Sequence, residues 1–175
     1  FVIKFLIHHF LFRPNMFGIC NLAIVPVRAE ASDRSEQVSQ LLFGEHFKII
    51  EMTAKWVQIE LAFDNYIGWI DAKQYQPITE EHYTVLNNTP IVLNSDLVEY
   101  ITTPNNQLTS ITLGASLSFL DNEEINTSKY SFEGIKVCGQ KPKSDLVKTA
   151  FMYLNAPYFW GGQTPFGIDC SGFTQ

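Results

Sequence analysis

Short runs of apolar residues separated by polar turns dominate the chain from Leu22 onward. They predict five strands, at residues 22–28, 38–43, 47–52, 55–61 and 66–70, with turn signals at Gly44-Glu45 and Asp64-Asn65 and a polar excursion at 29–37. Several short strands with turn residues at this spacing are typical of a small barrel. The pattern therefore predicts a mainly β first half.

A fainter copy of one strand-turn-strand unit follows, because residues 113–121 align with residues 43–51 in their apolar, glycine and acidic positions. A structural repeat is one interpretation. The other is chance, since any glycine between two strands gives a similar pattern. The segments 85–88, 103–107 and 122–128 are rich in turn residues and are expected to be connections.

The pattern changes after Lys141-Pro142. Apolar residues recur at helical spacing from Leu146 to Leu154, which predicts an amphipathic helix over 144–155. Ser144-Asp145 can cap its start, and Pro157 disfavours helix in the residue before it.

Composition, net charge and cysteine content exclude several classes of function. The chain has 175 residues, 46% of them apolar, which is enough for a packed core. Its net charge of -6 argues against a nucleic-acid partner. The three cysteines are too few and too widely spaced for a disulfide framework or a zinc site, so no metal or cofactor is predicted. Cys20 and Cys138 are expected to be small buried hydrophobic residues.

Residues 1–15 are strongly apolar but too short to span a bilayer, and they offer no signal cleavage site. A coherent domain pattern starts after Met16, the first methionine. We therefore expect translation to start there and residues 1–15 to be a non-native upstream segment. That start predicts a cytoplasmic protein with no membrane span. Export or a periplasmic location is the alternative if 1–15 end a longer signal.

Four pieces of the first half carry a resemblance to a known family. They are Val27-Arg28 before a polar loop, Leu-Phe-Gly-Glu at 42–45, Lys-Trp-Val at 55–57 and Tyr-Ile-Gly-Trp-Ile at 66–70. Their order resembles a bacterial SH3-like domain over residues 17–78. Residues 88–140 are then expected to be a degenerate second SH3-like domain or a linker.

The most specific motif is at the end of the chain. It reads Leu-Asn-Ala-Pro-Tyr-Phe-Trp-Gly-Gly at 154–162 and Gly-Ile-Asp-Cys-Ser-Gly at 167–172. This resembles the nucleophile region of NlpC-type endopeptidases, a branch of the papain-like cysteine peptidases. Residues 144–175 would be the N-terminal part of that domain, truncated at its C-terminal side. The fold expected is one or two SH3-like barrels followed by the first helices of an α+β papain-like domain.

The resemblance assigns roles to five residues. Cys170 would be the nucleophile at the start of a helix, where a thiolate is favoured. Tyr158 would donate a hydrogen bond to the oxyanion or the substrate. Asp169, Ser171 and Trp160 would line the pocket that binds the free amino end of a wall peptide.

Each role has an alternative. Asp169 can cap the helix, which is compatible with binding, and Ser171 can be an ordinary first-turn residue. Tyr158 and Trp160 can be packed aromatic residues.

The general base is expected outside this chain. A cysteine peptidase needs a base, normally His, held by a third polar group, and in this family both follow the nucleophile. His8, His9, His46 and His82 all precede Cys170. We therefore expect the chain alone to be inactive, with residues 156–175 poorly anchored or packed non-natively on the first barrel.

The resemblance implies a cysteine endopeptidase that hydrolyses peptidoglycan stem peptides, at the bond between γ-D-Glu and the diamino acid of L-Ala-γ-D-Glu peptides. An acidic residue and a Tyr of the SH3-like domain would help bind the ammonium. Glu30, Glu36, Glu60 and Tyr66 are the candidates. The alternatives are a non-catalytic SH3-like module that binds wall peptides or a partner and, more remotely, a redox or amidase relative.

Overall fold

The computed structural model describes residues 16–120, 122 and 129–175. The segment predicted to be non-native, 1–15, lies outside the described residues, as does most of the predicted connection 122–128. The chain is mainly β, with a large antiparallel sheet and three short helices among the described residues, as the pattern predicts. None of these helices is long and apolar enough to cross a bilayer.

The first half forms a seven-stranded antiparallel sheet. Its strands are β1 (Phe17–Ile19), β2 (Ile24–Arg28), β3 (Gln37–Leu42), β4 (His46–Met52), β5 (Trp56–Leu61), β6 (Ile67–Asp71) and β7 (Gln76–Ile78). The spatial order is β3-β2-β6-β5-β4-β1-β7. All five predicted strands are present, displaced by one or two residues at their ends. The pattern missed β1, because this strand is short and has Gly18 at its centre.

Alternation along the strands builds the first core. In β5, Val57, Ile59 and Leu61 are buried, and Ile59 pairs with Ile49 of β4 and with Gly68 of β6. Buried side chains of β2, β3, β4 and β6, together with Cys20, complete the cluster. Each such aliphatic or aromatic side chain stabilises the fold by about 1.5–3 kcal/mol relative to an exposed one.

A helix follows the sheet where the sequence predicted a connection. α1 spans Glu80–Asn88, so the interpretation of 85–88 as a turn was wrong. Thr79 caps the helix by accepting a hydrogen bond from the His82 N–H at 3.1 Å. The Asn pair at 87–88 suggested a turn, but this N-terminal cap and two buried residues, Tyr83 and Leu86, favour the helix.

Small sheets follow α1. The strands are β8 (Val92–Asn94), β9 (Val98–Thr102), β10 (Leu108–Thr112), β11 (Ser131–Phe132) and β12 (Lys136–Cys138). They form a three-stranded sheet, β10-β9-β11, and a two-stranded sheet, β12-β8. Their buried residues share a second core with Phe43, Ile78 and α1. This core therefore contains residues from both predicted SH3-like regions. The division of the chain into these two regions stays a prediction.

The suggested repeat is present only in part. Gly44 and Gly114 each follow a strand and have positive φ values of 78° and 87°. The two turns contact each other, since the Ser116 N–H donates to the Phe43 carbonyl at 2.8 Å. Residues 116–120 form only an isolated bridge at Ser116, whereas the matching residues 46–50 belong to β4.

The last part of the chain contains α2 (Lys143–Met152), the hairpin of β13 (Gln163–Thr164) and β14 (Gly167–Ile168), and α3 (Cys170–Thr174). α2 ends three residues before the predicted position. The predicted Ser144-Asp145 cap was wrong, because Pro142 occupies the N-cap position without a side-chain hydrogen bond. None of the residues of α2 is buried.

Candidate active site

Cys170 is the first residue of α3, as predicted, and its side chain is exposed. The hairpin of β13 and β14 leads directly into this helix. A parallel bridge between Tyr158 and Ile168 brings the backbone of residue 158 beside the strand that precedes Cys170. Tyr158 and Trp160 are 69% and 60% exposed among the described residues.

Asp169 holds the start of α3. Its Oδ1 accepts hydrogen bonds from the Gly172 N–H at 2.8 Å and the Ser171 hydroxyl at 2.7 Å. Its Oδ2 accepts one from the Gly161 N–H at 2.8 Å. Burial raises the pKa of Asp169, but these hydrogen bonds together outweigh it and leave the pKa below the usual carboxyl value. Asp169 therefore caps α3 in its ionised form. Its negative charge lies at the start of α3.

Close backbone contacts fix α3 against the preceding loop. A Cβ added to Gly172 would lie 2.2 Å from the Gly162 carbonyl oxygen. Gly161 has a φ of 68°, and a Cβ there would lie 2.8 Å from the Gln37 carbonyl oxygen. Both positions need glycine, because real Cβ atoms do not approach backbone this closely.

The loop before Cys170 docks on β3, at the edge of the large sheet. The Trp160 Nε1–H donates to Glu36 Oε1 at 2.6 Å. The Gln37 amide donates to the Gly161 carbonyl at 3.2 Å, and the Gln163 N–H donates to Gln40 Oε1 at 2.8 Å. Residues 156–175 are therefore packed on the first barrel and not poorly anchored, whereas the expectation that this packing is non-native stays a prediction.

An acidic cavity of about 330 Å³ lies at this junction. We define it by four of its lining residues, Asp64, Tyr66, Asp169 and Ser171. It brings two predicted site residues together with Tyr66, one of the four barrel candidates. Cys170, Tyr158 and Trp160 are not part of its lining.

The electrostatic environment of Tyr66 reports the acidity of this cavity. Burial raises the pKa of Tyr66, and neighbouring carboxylates raise it further. These belong to Asp64, Glu36 and Asp169. Sequence reasoning missed Asp64, because Asp64-Asn65 has the ordinary signature of a turn.

The described histidines lie on other elements. His46 begins β4, and its Nε2 lies 2.8 Å from Asn87 Oδ1 on α1. Burial lowers the pKa of His46, against the opposing effect of that hydrogen bond. His82 lies on α1. Within the described ranges no set of His, Cys, Asp and Glu side chains is arranged to hold a metal ion.

The other two cysteines differ in their environments. Cys20 is buried as predicted, and burial raises the pKa of its thiol to about 12. The prediction for Cys138 was wrong, because its side chain is exposed on β12, a strand of a small two-stranded sheet.

Comparison with known proteins supports the sequence motifs. Residues 27–74 match the family model described as the bacterial dipeptidyl-peptidase Sh3 domain. The chain is 24% identical over 162 residues to the γ-D-glutamyl-L-lysine dipeptidyl-peptidase of Bacillus cereus, covering 78% of this chain and 48% of the relative. It is 24% identical over 174 residues to dipeptidyl-peptidase 6 of Lysinibacillus sphaericus, covering 82% of this chain and 62% of the relative.

A solved structure shares the fold. The crystal structure of an NlpC/P60 family protein from Bacillus cereus matches with a TM-score of 0.71 and 16% identity, covering 90% of this chain and 70% of that one. The resemblance to SH3-like and NlpC-type proteins is therefore confirmed. The chain spans about half to three fifths of the length of the curated relatives, at 48% and 62%.

Proposed function

We propose that this chain is part of a cysteine peptidase that hydrolyses peptidoglycan stem peptides at the bond between γ-D-Glu and the diamino acid. The names of the similar proteins support a peptidase of γ-D-glutamyl peptides. The observation that carries the proposal is the position of Cys170, exposed at the start of α3 and next in sequence to two residues that line the acidic cavity.

The acidic cavity has the chemistry to bind a free amino end. Asp169 carries a carboxylate whose lowered pKa keeps it charged at neutral pH. Asp64 adds a second carboxylate, and Tyr66 adds a hydroxyl. An ammonium is the natural ligand of such a set, because charge-assisted hydrogen bonds are the stronger kind. A peptide that begins with a free L-Ala provides that ammonium.

The reaction places the scissile carbonyl at Cys170. The thiolate attacks the γ-carbonyl carbon of D-Glu, the amine of the diamino acid leaves, and water then hydrolyses the thioester. In this proposal Tyr158 donates to the oxyanion or the substrate. Trp160 does not line the acidic cavity, and its hydrogen bond to Glu36 connects the loop before Cys170 to the barrel.

Hydrolysis of a free stem tripeptide tests the proposal. The protein translated from a reading frame extended past Gln175 is incubated with L-Ala-γ-D-Glu linked to a diamino acid, and the released dipeptide is quantified. We expect release by the parent and none by Cys170→Ala. The 175-residue chain itself is expected to be inactive. Turnover of the tripeptide by this chain that is lost in Cys170→Ala would contradict the expectation that the general base lies outside it.

Failure of the extended, folded protein to release dipeptide would favour the alternative, a non-catalytic SH3-like module that binds wall peptides. A cytoplasmic role in recycling wall peptides remains our proposal for its location. Fractionation of cells that produce the protein from Met16 tests it, and recovery outside the cytoplasm would contradict it.

A further inference from the structure

A second cavity, of about 320 Å³, lies next to the acidic cavity, with Gln163, Gly172 and Gln175 in the lining of both. We call it the apolar cavity, because aliphatic side chains dominate its lining, among them Leu42, Leu61, Leu86, Ile91, Leu93 and Leu113. Its volume is at the lower end of the range of about 300–1,000 Å³ that is typical of small-molecule sites. The apolar cavity is therefore large enough for one small organic ligand.

The apolar cavity is separate from the proposed catalytic site. Gly172 and Gln175 line it, whereas Cys170 does not. Gly172 follows Cys170 by two residues on α3, which turns its position by about 200° around a helix of 3.6 residues per turn. The apolar cavity therefore borders the face of α3 away from the thiol, a face that the proposed reaction does not use.

Glu45 is the one acidic residue in this lining among the described residues, and no Lys or Arg lines the cavity. The Oε2 atom of Glu45 accepts a hydrogen bond from the Leu42 N–H at 2.6 Å. Within the described ranges this carboxylate has neither a second hydrogen bond nor an ion pair. His46 also lines the cavity, but burial lowers the pKa of its imidazole, which is then neutral at neutral pH. The lining therefore supplies no cation to Glu45.

The pKa of Glu45 agrees with this geometry. Burial raises the pKa to about 7, opposed by the hydrogen bond from Leu42 and assisted by the negative charge of Asp64. A carboxylate that burial separates from water is unfavourable in its ionised form unless a cation pairs with it. The chemical group that complements this part of the cavity is therefore a cation.

We propose that the apolar cavity is a binding site for a small aliphatic primary amine, whose ammonium pairs with Glu45 and whose alkyl chain packs against the leucine side chains. The hydroxyl groups of Ser116 and Ser118 also line the cavity and can accept hydrogen bonds from the ammonium. The ligand carries a single positive charge, because the lining provides a single carboxylate. This site goes beyond the proposed peptidase activity and does not depend on it.

Calorimetric titration of the 175-residue chain with hexylammonium tests the proposal. At about pH 8 the ammonium is protonated and Glu45 is largely ionised. We expect one-site binding, with 1-hexanol at least about 10-fold weaker, because charge-assisted hydrogen bonds are the stronger kind. Butylammonium, two methylenes shorter, should bind about 10-fold more weakly than hexylammonium, since each buried methylene adds to the affinity.

One variant with a matched control locates the site. Glu45→Gln keeps an oxygen that accepts from the Leu42 N–H but removes the charge, so it should weaken hexylammonium binding by at least about 10-fold. Glu51→Gln, at an exposed position of β4 outside the lining, should bind as the parent does.

Nuclear magnetic resonance spectra of the parent locate the ligand even if Glu45→Gln does not fold. The amide signals of Gly114 and Gly172, which line the cavity, should shift on titration with hexylammonium. The signal of Gly139, an exposed glycine outside the lining, should not shift. Shifts at Gly139 without shifts at the two lining glycines would overturn the proposal.

Competition separates this site from the acidic cavity. The dipeptide L-Ala-γ-D-Glu carries the ammonium that the proposed function places in the acidic cavity, and it should not displace hexylammonium. Displacement, no binding of hexylammonium, or equal affinities of parent and Glu45→Gln would overturn the proposal. Binding by this chain but not by the protein extended past Gln175 would also overturn it, because the added segment would then fill the cavity. Failure of the dipeptide itself to bind would contradict the proposed function alone.

Discussion

The carboxylate of Asp169 is the most connected side chain of the candidate site, and its removal should act locally. Asp169→Ala removes the cap of α3, which costs about 1 kcal/mol. It also leaves the Gly161 N–H without its acceptor, which costs about 1–3 kcal/mol because that group is buried. The free energy of opening this region should therefore fall by about 2–4 kcal/mol.

Asp169→Asn separates the two effects. An amide oxygen at Oδ1 still accepts from the Gly172 N–H, and Asn caps helices as well as Asp does. The Nδ2 group then faces the Gly161 N–H, and two donors cannot bond. Only the contact to Gly161 should be lost.

Amide hydrogen exchange measures these changes residue by residue. The exchange of Gly161 should accelerate about 10-fold or more in both variants, since 1.4 kcal/mol is a factor of ten. The exchange of Gly172 should accelerate only in Asp169→Ala. Asp145→Ala, which removes an exposed carboxylate paired with Lys148 on α2, is the control and should change neither rate.

The pH dependence of the same amides gives a second check. Because the folded pKa of Asp169 is lowered, its stabilisation is present above the ordinary value of 3.8 and is lost as the pH falls through the lower folded pKa. Unchanged exchange of Gly161 in Asp169→Ala would refute the assignment of this carboxylate as its acceptor.

Three further results are expected. Gly172→Ala should release α3 from the preceding loop, which would be seen as faster amide exchange in residues 170–174. Gly139→Ala is the control, because the added Cβ meets no atom within 4 Å and introduces only backbone strain. Burial raises the pKa of Glu45 to about 7 from 4.5, so the free energy of unfolding should fall as the pH rises through that range, by up to ~1.4 kcal/mol per pH unit. Urea titrations of parent and Glu45→Gln check this, and an equal slope in both would contradict it. In thiol labelling of the native chain, Cys170 should react rapidly and Cys20 only after unfolding, and rapid native labelling of Cys20 would contradict its burial.

Sequence patterns predicted the large sheet well because its strands alternate clearly. Buried Val57, Ile59 and Leu61 occupy every second position of β5, and period-two alternation is a local signal. β1 gave no such signal, since a three-residue strand around Gly18 is specified by its pairing with β4 and β7. α1 was not predicted, because turn residues at its end concealed a helix whose cap lies at Thr79.

The residues of the candidate site were also predicted only in part. Asp169, Cys170 and Ser171 are contiguous, so a motif could identify them together. Asp64 and Gln163 are different, because they reach the acidic cavity through tertiary contacts between distant segments. Their side chains have no distinctive neighbours in sequence, and only the docking of the loop before Cys170 on β3 reveals them.

Peptidase activity that depends on a free amino end is the core of the proposed function. The direct measurement compares the rates at which the protein extended past Gln175 cleaves the free stem tripeptide and its N-acetylated form. Acetylation removes the ammonium and leaves the scissile bond unchanged. We expect cleavage of the free tripeptide, lost in Cys170→Ala, and at least about 100-fold slower cleavage of the acetylated form, because removing a charged partner typically costs several kcal/mol. Equal rates on both peptides would contradict binding of the amino end in the acidic cavity.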